Sequence, residues 1–424
     1  MSWPIILLLM FVLFALNMRL YLAMFAAVLA YFVFFSNLPL PIAVQRMAAP
    51  ALNPSLLAIP FFILLGTLLG VTGIAHRLLK LADLVVGRLI GGLGHTTVLL
   101  STLMGGISAS NLADAAMMCR MIVPEMHQQG YRRGTAAAIT AASALITPII
   151  PPGIALIIYA LVADVSIGAM FMAGILPGLL CATLLFIAVY VAAKQQGLKP
   201  SRERWPTAGE TGRALIGAWP ALFLVVVIVG GIRLSIFTPT EAGAVATVVT
   251  LLIGIFLYRE MKLRDVLQAL MESARQTAAV LLVIMVSSAL AWIFSNERAG
   301  IAMAQFIGEL TTNKWVFLLA VNILLLIFGM FIEGTALMII LVPLLKPVMA
   351  SMGIDPVHFG IVMVLNLSIG TLTPPVGTVM LLVCNLTKTS LAQFLKDGWI
   401  FLLTLIVALA LVTYIPQIST VLAY

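Results

Sequence analysis

Residues 147–153 read Thr147-Pro-Ile-Ile-Pro-Pro-Gly153 and stand in the middle of an apolar stretch at 134–160. Proline has no backbone N–H and clashes with the preceding helical turn, so three prolines here predict a broken helix with freed carbonyl groups. A simple kink needs only one proline. A second segment of this kind, Gly370-Thr-Leu-Thr-Pro-Pro-Val-Gly377, interrupts the apolar stretch at 358–386. The sequence therefore predicts two broken helices, one in each half of the chain.

Composition places most of the chain in lipid. Of its 424 residues, 62% are hydrophobic and only 9% are charged, whereas an ordinary soluble domain carries about 25% charged residues. The net charge of +8 comes from short basic segments between apolar stretches, so it does not indicate a nucleic-acid partner. Cysteines and histidines are scattered, which gives no support to redox chemistry or to a metal site beyond sodium.

Apolar stretches long enough to cross the bilayer as helices occur throughout the chain. The predicted spans are 2–18, 20–38, 54–74, 134–160, 167–193, 214–233, 240–258, 277–295, 358–386 and 399–420. Two further apolar regions, 92–118 and 316–346, contain polar or Gly/Pro clusters and are predicted to be re-entrant hairpins.

The distribution of basic residues predicts the orientation of the chain. With both hairpins re-entrant, 18 of the 23 Lys and Arg residues lie on one side, which the positive-inside rule makes cytoplasmic. Both termini are then periplasmic. The two hairpins enter from opposite sides, as in transporters built from inverted repeats. The predicted fold is an all-α, polytopic, inverted-repeat ion-transporter-like membrane protein with two re-entrant hairpins and two broken helices.

Polar groups cluster at the predicted hairpin turns. The first turn carries Ser108, Ser110, Asn111 and Asp114, and the second carries Glu333 and Thr335. Irregular backbone and carboxylates are tolerated at membrane depth only where protein or water satisfies them. Hard cations prefer oxygen ligands. A face of small residues that packs against another helix is the competing interpretation, but it does not explain the carboxylates.

Two other segments are predicted to be structural. Residues 76–88 have helical apolar spacing with charges on the other side, which predicts an interfacial helix on the cytoplasmic surface. In Phe237-Thr-Pro-Thr-Glu-Ala-Gly243, Thr240 is expected to cap a helix and Glu241 to favour its positive end, and a direct role of this segment in transport is the open alternative.

Taken in order, several motifs resemble the large membrane subunit of the tripartite ATP-independent periplasmic (TRAP) transporters over essentially the whole chain. They are Ser108-Ala-Ser110 with Asp114, Gly130-Tyr131, Ile149-Ile-Pro-Pro152, Thr238-Pro-Thr-Glu-Ala242 and Thr373-Pro-Pro-Val-Gly377. The chain departs from the family at Ala109, where Gly is usual, at Gly153, where Ser is usual, and at Glu333, where Asp is common.

The resemblance implies a sodium-driven importer of an organic anion, such as a C4-dicarboxylate or sialic acid, in the bacterial inner membrane. It implies two partners, a small four-helix membrane subunit and a periplasmic substrate-binding protein. It also implies that the coupling ion is Na⁺. A stand-alone ion-coupled anion transporter of the related superfamily is the alternative, and co-purification with a small membrane subunit separates the two. No motif in the sequence supports the third interpretation, an intramembrane enzyme.

The predicted functional residues lie in the four interrupted segments, with one exception at Arg298. The predicted sodium-binding residues are Ser108, Ser110, Asn111, Asp114, Thr147, Pro148, Gly153, Glu333, Gly334, Thr335, Gly370, Thr373, Pro374, Val376 and Gly377. The predicted substrate-binding residues are Ser108, Ser110, Asn111, Pro151, Arg298 and Thr373.

The chain is predicted to divide into a static scaffold and a moving transport unit. The ranges are 1–75 for N-terminal scaffold spans, 76–91 for the interfacial arm, 92–160 for the first hairpin and broken helix, 161–295 for further scaffold spans and cytoplasmic loops, 296–386 for the second hairpin and broken helix, and 387–424 for the C-terminal span.

Overall fold

A computed structural model describes residues 3–16, 18–105 and 110–424. Within these residues the chain forms α-helices, short 3₁₀ and π segments, and no β-strand. The α-helices are α1 Trp3–Ala15, α2 Leu20–Ala30, α3 Pro41–Ala48, α4 Ala58–Val71, α5 Ile74–Val86, α6 Gly92–Gly105, α7 Asn111–Met121, α8 Val123–Gln128, α9 Arg133–Ala144, α10 Ile154–Ala163, α11 Ile167–Gln196, α12 Ala208–Arg233, α13 Pro239–Leu252, α14 Leu263–Asn296, α15 Ala299–Leu310, α16 Lys314–Gly329, α17 Gly334–Ser351, α18 Pro356–Gly370, α19 Thr378–Thr387, α20 Leu391–Tyr414 and α21 Gln417–Thr420.

Many of these helices are suited to a membrane. Across the described ranges, 7 are long and apolar enough to cross a bilayer on length and composition alone. They are Pro54–Val71, Ile167–Gln196, Ala208–Arg233, Pro239–Leu257, Leu263–Asn296, Gly334–Ser351 and Leu391–Tyr414. Shorter apolar helices occupy the predicted spans 2–18 and 20–38. The chain is a multi-pass membrane protein.

The interrupted segments have the predicted form. The first broken helix consists of α9 and α10, separated by residues 145–153, and the second of α18 and α19, separated by residues 371–377. The first hairpin is formed by α6 and α7, and the second by α16 and α17, which turn around residues 330–333. The predicted inverted-repeat fold is thus confirmed.

The helices pack in two groups. Helices α1 to α4 and α12 to α14 contact one another and form the first group. Both hairpins and both broken helices form the second, and α20 packs on α9 and α18 within it. Helix α11 lies inside the range predicted to be scaffold, 161–295, yet it packs against α6, α10, α18 and α20.

Helix α5 covers most of the range predicted for the interfacial arm, 76–91, and it joins the two groups. Its apolar face is buried, and it contacts both α6 and α12. At its start, Arg77 donates a hydrogen bond to Glu260 at 2.6 Å and stacks over the Tyr258 ring at 3.7 Å. The Arg77 bond lowers the pKa of the Glu260 carboxyl. At its end, the Ser201 hydroxyl donates to Asp83 at 2.8 Å.

Helix α15 is a second connecting helix; it precedes the hairpin predicted at 316–346 but lies inside the range 296–386 predicted for the second hairpin and broken helix. It follows α14, packs on α17, and meets α16 at a bend of 113°. Tyr31 of the neighbouring π segment donates to Glu297 at 3.1 Å, directly before this arm. Each half of the chain therefore has a helix that connects the first group to a hairpin.

The cap predicted at Thr240 is wrong. Thr238 caps α13, because its side chain accepts from the Glu241 N–H while the Glu241 carboxylate accepts from the Thr238 N–H. Pro239 occupies the first helical position, where its missing N–H costs nothing. Glu241 thus completes a capping box with the residue three positions before it.

A buried amide network connects the second hairpin to its broken helix. The Asn366 side chain on α18 donates to the carbonyl and the side-chain oxygen of Asn322 on α16, at 2.9 and 2.8 Å. Asn322 in turn donates to the Thr413 hydroxyl on α20 at 2.9 Å. The network fixes the relative positions of three helices.

We expect Asn366→Leu to lower stability by about 1–3 kcal/mol, because both oxygens of Asn322 lose their buried donor. The measurement is the midpoint of thermal unfolding in detergent. Ser368→Ala is the matched control, since the Ser368 hydroxyl only donates back to the Val364 carbonyl within its own helix. Equal shifts of the midpoint in the two variants would contradict a linking role for the network.

Candidate functional site

The four interrupted segments meet at one cavity of about 300 Å³. It lies between the two groups of helices, so its walls come from both. The residues that the hairpins and broken helices contribute to it include Ser110, Asn111, Pro148, Glu333, Gly334, Thr335, Ser368, Thr371 and Thr378. Segments that are 260 residues apart in the chain thus share one space.

One hydrogen bond joins the first hairpin directly to the second break. The Asn111 amide donates to the Thr371 hydroxyl at 3.4 Å, which is at the long end of the hydrogen-bonding range. Thr371 itself donates to the Ser368 carbonyl at 2.6 Å. These bonds link the first half of the chain to the second.

In the first helix break, a backbone carbonyl oxygen lies directly against a glycine. A Cβ atom at Gly153 would overlap the Pro148 carbonyl oxygen, so the absence of a side chain allows this close approach. The Thr147 side chain is fully buried, and its hydroxyl has no hydrogen-bond partner among the described residues. An oxygen-rich lining of this kind matches the donor preference of a hard cation.

The second break is similar in its chemistry. A Cβ atom at Gly377 would lie 2.9 Å from the Thr373 carbonyl oxygen and 3.0 Å from that of Thr371. The Thr371 carbonyl accepts from the Val379 and Met380 N–H groups at 3.0 and 3.3 Å. The Thr373 hydroxyl donates to the Ile369 carbonyl at 2.8 Å. Carbonyl oxygens therefore crowd around Gly377 at the start of α19.

Gly370 has a packing function. A Cβ atom there would lie 2.8 Å from the carbonyl carbon of Gly329, which is closer than side-chain carbons approach. Two glycines thus let α16 and α18 touch where the hairpin turns and the broken helix ends. This contact places the second turn beside the second break.

The hairpin turns bring carboxylates to helix N-termini. Asp114 is 2% exposed and lies in the first turn of α7, where the Ser110 hydroxyl caps the helix by accepting from the Ala113 N–H. Glu333 is exposed and occupies the N-cap position of α17. Helix N-termini favour negative charge, so both carboxylates are placed where their charge is stabilised.

Only some of the predicted sodium- and substrate-binding residues line the cavity. Ser108 lies outside the described residues. Asp114, Thr147, Gly153, Gly370, Thr373, Pro374, Val376 and Gly377 are in the interrupted segments but do not line the cavity, and neither does Pro151. Arg298 is the N-cap of α15 with a left-handed φ of 53°, away from the cavity wall. Its position gives no support to a role in substrate binding.

The wall formed by the first group of helices was not predicted from the sequence. It consists of Leu20, Ile63, Gln276, Ala279, Val280 and Val283. Gln276 is its polar member, and it donates to Glu272 at 2.8 Å. The sequence placed a span at 277–295, whereas α14 begins at Leu263. A glutamine one residue before a predicted span was the available signal.

Comparison with known proteins agrees with this architecture. The family model described as "Tripartite ATP-independent periplasmic transporter, DctM component" matches residues 7–418. The sialic acid TRAP transporter large permease protein of Vibrio cholerae is 37% identical over 398 residues, covering 93% of this chain and 92% of that protein. The C4-dicarboxylate TRAP transporter large permease protein of Pseudomonas aeruginosa is 36% identical over 365 residues, covering 86% and 85%.

A solved structure shares the fold. The YdaH transporter of Alcanivorax borkumensis superposes with a TM-score of 0.60, covering 88% of this chain and 87% of that chain, at 15% identity. The match of the family model over nearly the whole chain, together with the broken helices and hairpins around one cavity, shows that this chain belongs to the DctM family, the large membrane component of tripartite ATP-independent periplasmic transporters.

Proposed function

We propose that the chain is the permease subunit of a sodium-coupled secondary importer of an organic anion. The observation that carries the proposal is the cavity where two hairpin turns and two helix breaks meet between two groups of helices. Relatives named for sialic acid and for C4-dicarboxylates support an anionic carboxylated substrate.

Sodium is proposed to bind at two sites beside this cavity. The first uses the segment Ser108–Asp114 with carbonyl groups of residues 147–153, and the second uses Glu333 and Thr335 with carbonyl groups of residues 370–377. Freed carbonyls and one carboxylate at each site suit a hard monovalent cation. Bound sodium would also offset the negative charge of an organic anion in a cavity whose described lining contains no Lys or Arg.

Transport is proposed to follow an elevator-like mechanism. The hairpins, the broken helices, α11 and α20 would move as one unit, because they pack against one another. Helices α1 to α4 and α12 to α14 would form the scaffold, and arms α5 and α15 would connect the two. Rocking or sliding of one repeat-based unit against another is the usual solution for inverted repeats.

The proposed setting is the bacterial inner membrane, with both termini periplasmic. A periplasmic binding protein would deliver the substrate, and a small four-helix membrane subunit would enlarge the scaffold. In this orientation Arg19 and Arg275 are cytoplasmic, and their neighbours Leu20 and Gln276 line the cavity. The described conformation is therefore proposed to open toward the cytoplasm.

Replacing external sodium is expected to abolish uptake. The complex would be reconstituted in liposomes with its binding protein and tested with radiolabelled N-acetylneuraminate and succinate, with sodium, potassium or choline outside. Uptake should require sodium and rise with the sodium gradient. Equal uptake in potassium or choline would refute sodium coupling, and uptake without the binding protein would favour a stand-alone transporter.

A further inference from the structure

A second cavity, of about 260 Å³, shares no lining residue with the central one and lies between the first hairpin and the end of the second broken helix. Its lining comes from α7, α8, the start of α9 and the end of α19. The residues are Cys119, Val123, Pro124, His127, Arg133, Leu386, Thr387 and Lys388. The basic segments place this cavity on the face predicted to be cytoplasmic.

The lining has an unbalanced positive charge. Arg133 and Lys388 are both exposed, and neither forms an ion pair with a described residue, while the lining contains no Asp or Glu. The nearby carboxylate of Asp397 pairs instead with Arg132 at 3.8 Å. Two cations sharing one concave space repel each other unless an anion lies between them.

A third group adds hydrogen-bonding capacity. The Nε2 atom of His127 is covered and has no hydrogen-bond partner in the described part of the chain. Burial and the neighbouring Arg133 lower the pKa of His127, so its imidazole is neutral at neutral pH and can donate one N–H. A buried polar atom without a partner is costly, and a small rotation of the imidazole toward an oxyanion in this cavity would satisfy it.

We propose that this cavity binds a phosphate group, with Arg133, Lys388 and His127 as its donors. Donors from three different elements converge on one volume, which suits a tetrahedral group with several acceptor oxygens better than a planar carboxylate with two. A guanidinium can bind two phosphate oxygens at once, and an ammonium acts as a point charge. The phosphate belongs either to an anionic phospholipid or to a soluble ion.

The position of the cavity is compatible with either source. Leu386 in the lining is 40% exposed and apolar, so an acyl chain could leave the cavity along the surface of α19. The open face is also available to cytoplasmic solutes. Because every lining element belongs to the proposed moving unit, the bound group would travel with that unit.

The test compares two probes on the full chain purified with its partner subunits. Phosphatidylglycerol is titrated in detergent and followed by native mass spectrometry, and inorganic phosphate is titrated by calorimetry. The variants are Arg133→Gln, Lys388→Asn and the double variant. Asparagine is chosen because Lys388 has a left-handed φ of 53°, which asparagine tolerates. Lys396→Gln is the matched control, since Lys396 is exposed on the same face but lies outside the cavity.

We expect the wild type and the control to bind one of the probes. The double variant should bind that probe about tenfold or more weakly. The probe that shows it identifies lipid or soluble phosphate as the source. The single variants should show intermediate losses and suffice if the double variant is unstable. Failure of the wild type to bind either probe, or the same affinity in the double variant and the control, would overturn the proposal.

Discussion

Uptake by the Asp114→Ala variant is expected to fall about a hundredfold or more, while the variant still folds and inserts. The Asp114 carboxylate is 2% exposed at the N-terminal turn of α7, next to the tip of the first hairpin. A buried intramembrane carboxylate is costly and has to be stabilised by partners or by an ion. Losing charge-assisted bonds of about 3 kcal/mol corresponds to about two orders of magnitude.

Two further variants test whether transport depends on the charge of Asp114, on its shape, or on its position in the fold. Asp114→Asn keeps the volume and much of the hydrogen bonding but removes the charge, so it should also fail if the carboxylate balances sodium. Asp164→Asn removes a carboxylate that is 95% exposed and should transport at the wild-type rate. Initial uptake rates would be compared at equal amounts of monodisperse, inserted protein. A wild-type rate in Asp114→Ala would make this carboxylate dispensable for transport.

A disulfide between Gly168→Cys and Ile232→Cys is expected to stop uptake, and a reductant should restore it. Residue 168 lies in the first turn of α11 in the proposed moving unit, and Ile232 lies in the last turn of α12 in the proposed scaffold. A Cβ atom at position 168 would lie 3.1 Å from the Ile232 Cγ2 atom, within reach of disulfide geometry. Locking these helices together should trap one state of the transport cycle.

A matched disulfide inside the scaffold serves as the control. Phe61→Cys on α4 and Gly243→Cys on α13 would place their Cβ atoms 3.1 Å apart, and both helices are proposed to be static. The buried native cysteines Cys119, Cys181 and Cys384 would first be replaced by alanine. Oxidation should leave uptake unchanged in this pair. Continued uptake with the 168–232 disulfide fully formed would show that α11 and α12 do not separate during transport.

Local chemistry explains why much of this protein could be predicted. The prolines at 148, 151 and 152 break a helix whatever lies around them, since the missing N–H groups and ring clashes belong to those residues. Apolar length and the positions of Lys and Arg are also local properties. They sufficed for the multi-pass fold, both hairpins, both broken helices and the amphipathic helix near residues 76–88.

Assignments that depend on helix packing were harder to predict from the sequence. Helix α15 is largely apolar and merges with the second hairpin in sequence, and only its bend and its contact with α17 identify it as an arm. Helix α11 is as apolar as the other predicted spans, so its sequence did not indicate which helices it packs against. The Thr240 cap failed because Thr238 and Glu241 have the required spacing of three.

The sequence by itself determined which residues break the helices and bring oxygens and carboxylates to membrane depth, because these are consequences of covalent structure and solvation. Only the tertiary structure decided which of them face a common cavity. Asn111 meets Thr371 across 260 residues, and Gln276 of α14 lines the same cavity, because helix packing sets distances between segments that are remote in the chain. Arg298 carries the charge expected of an anion-binding residue, but it caps α15 and is not among the residues that line this cavity.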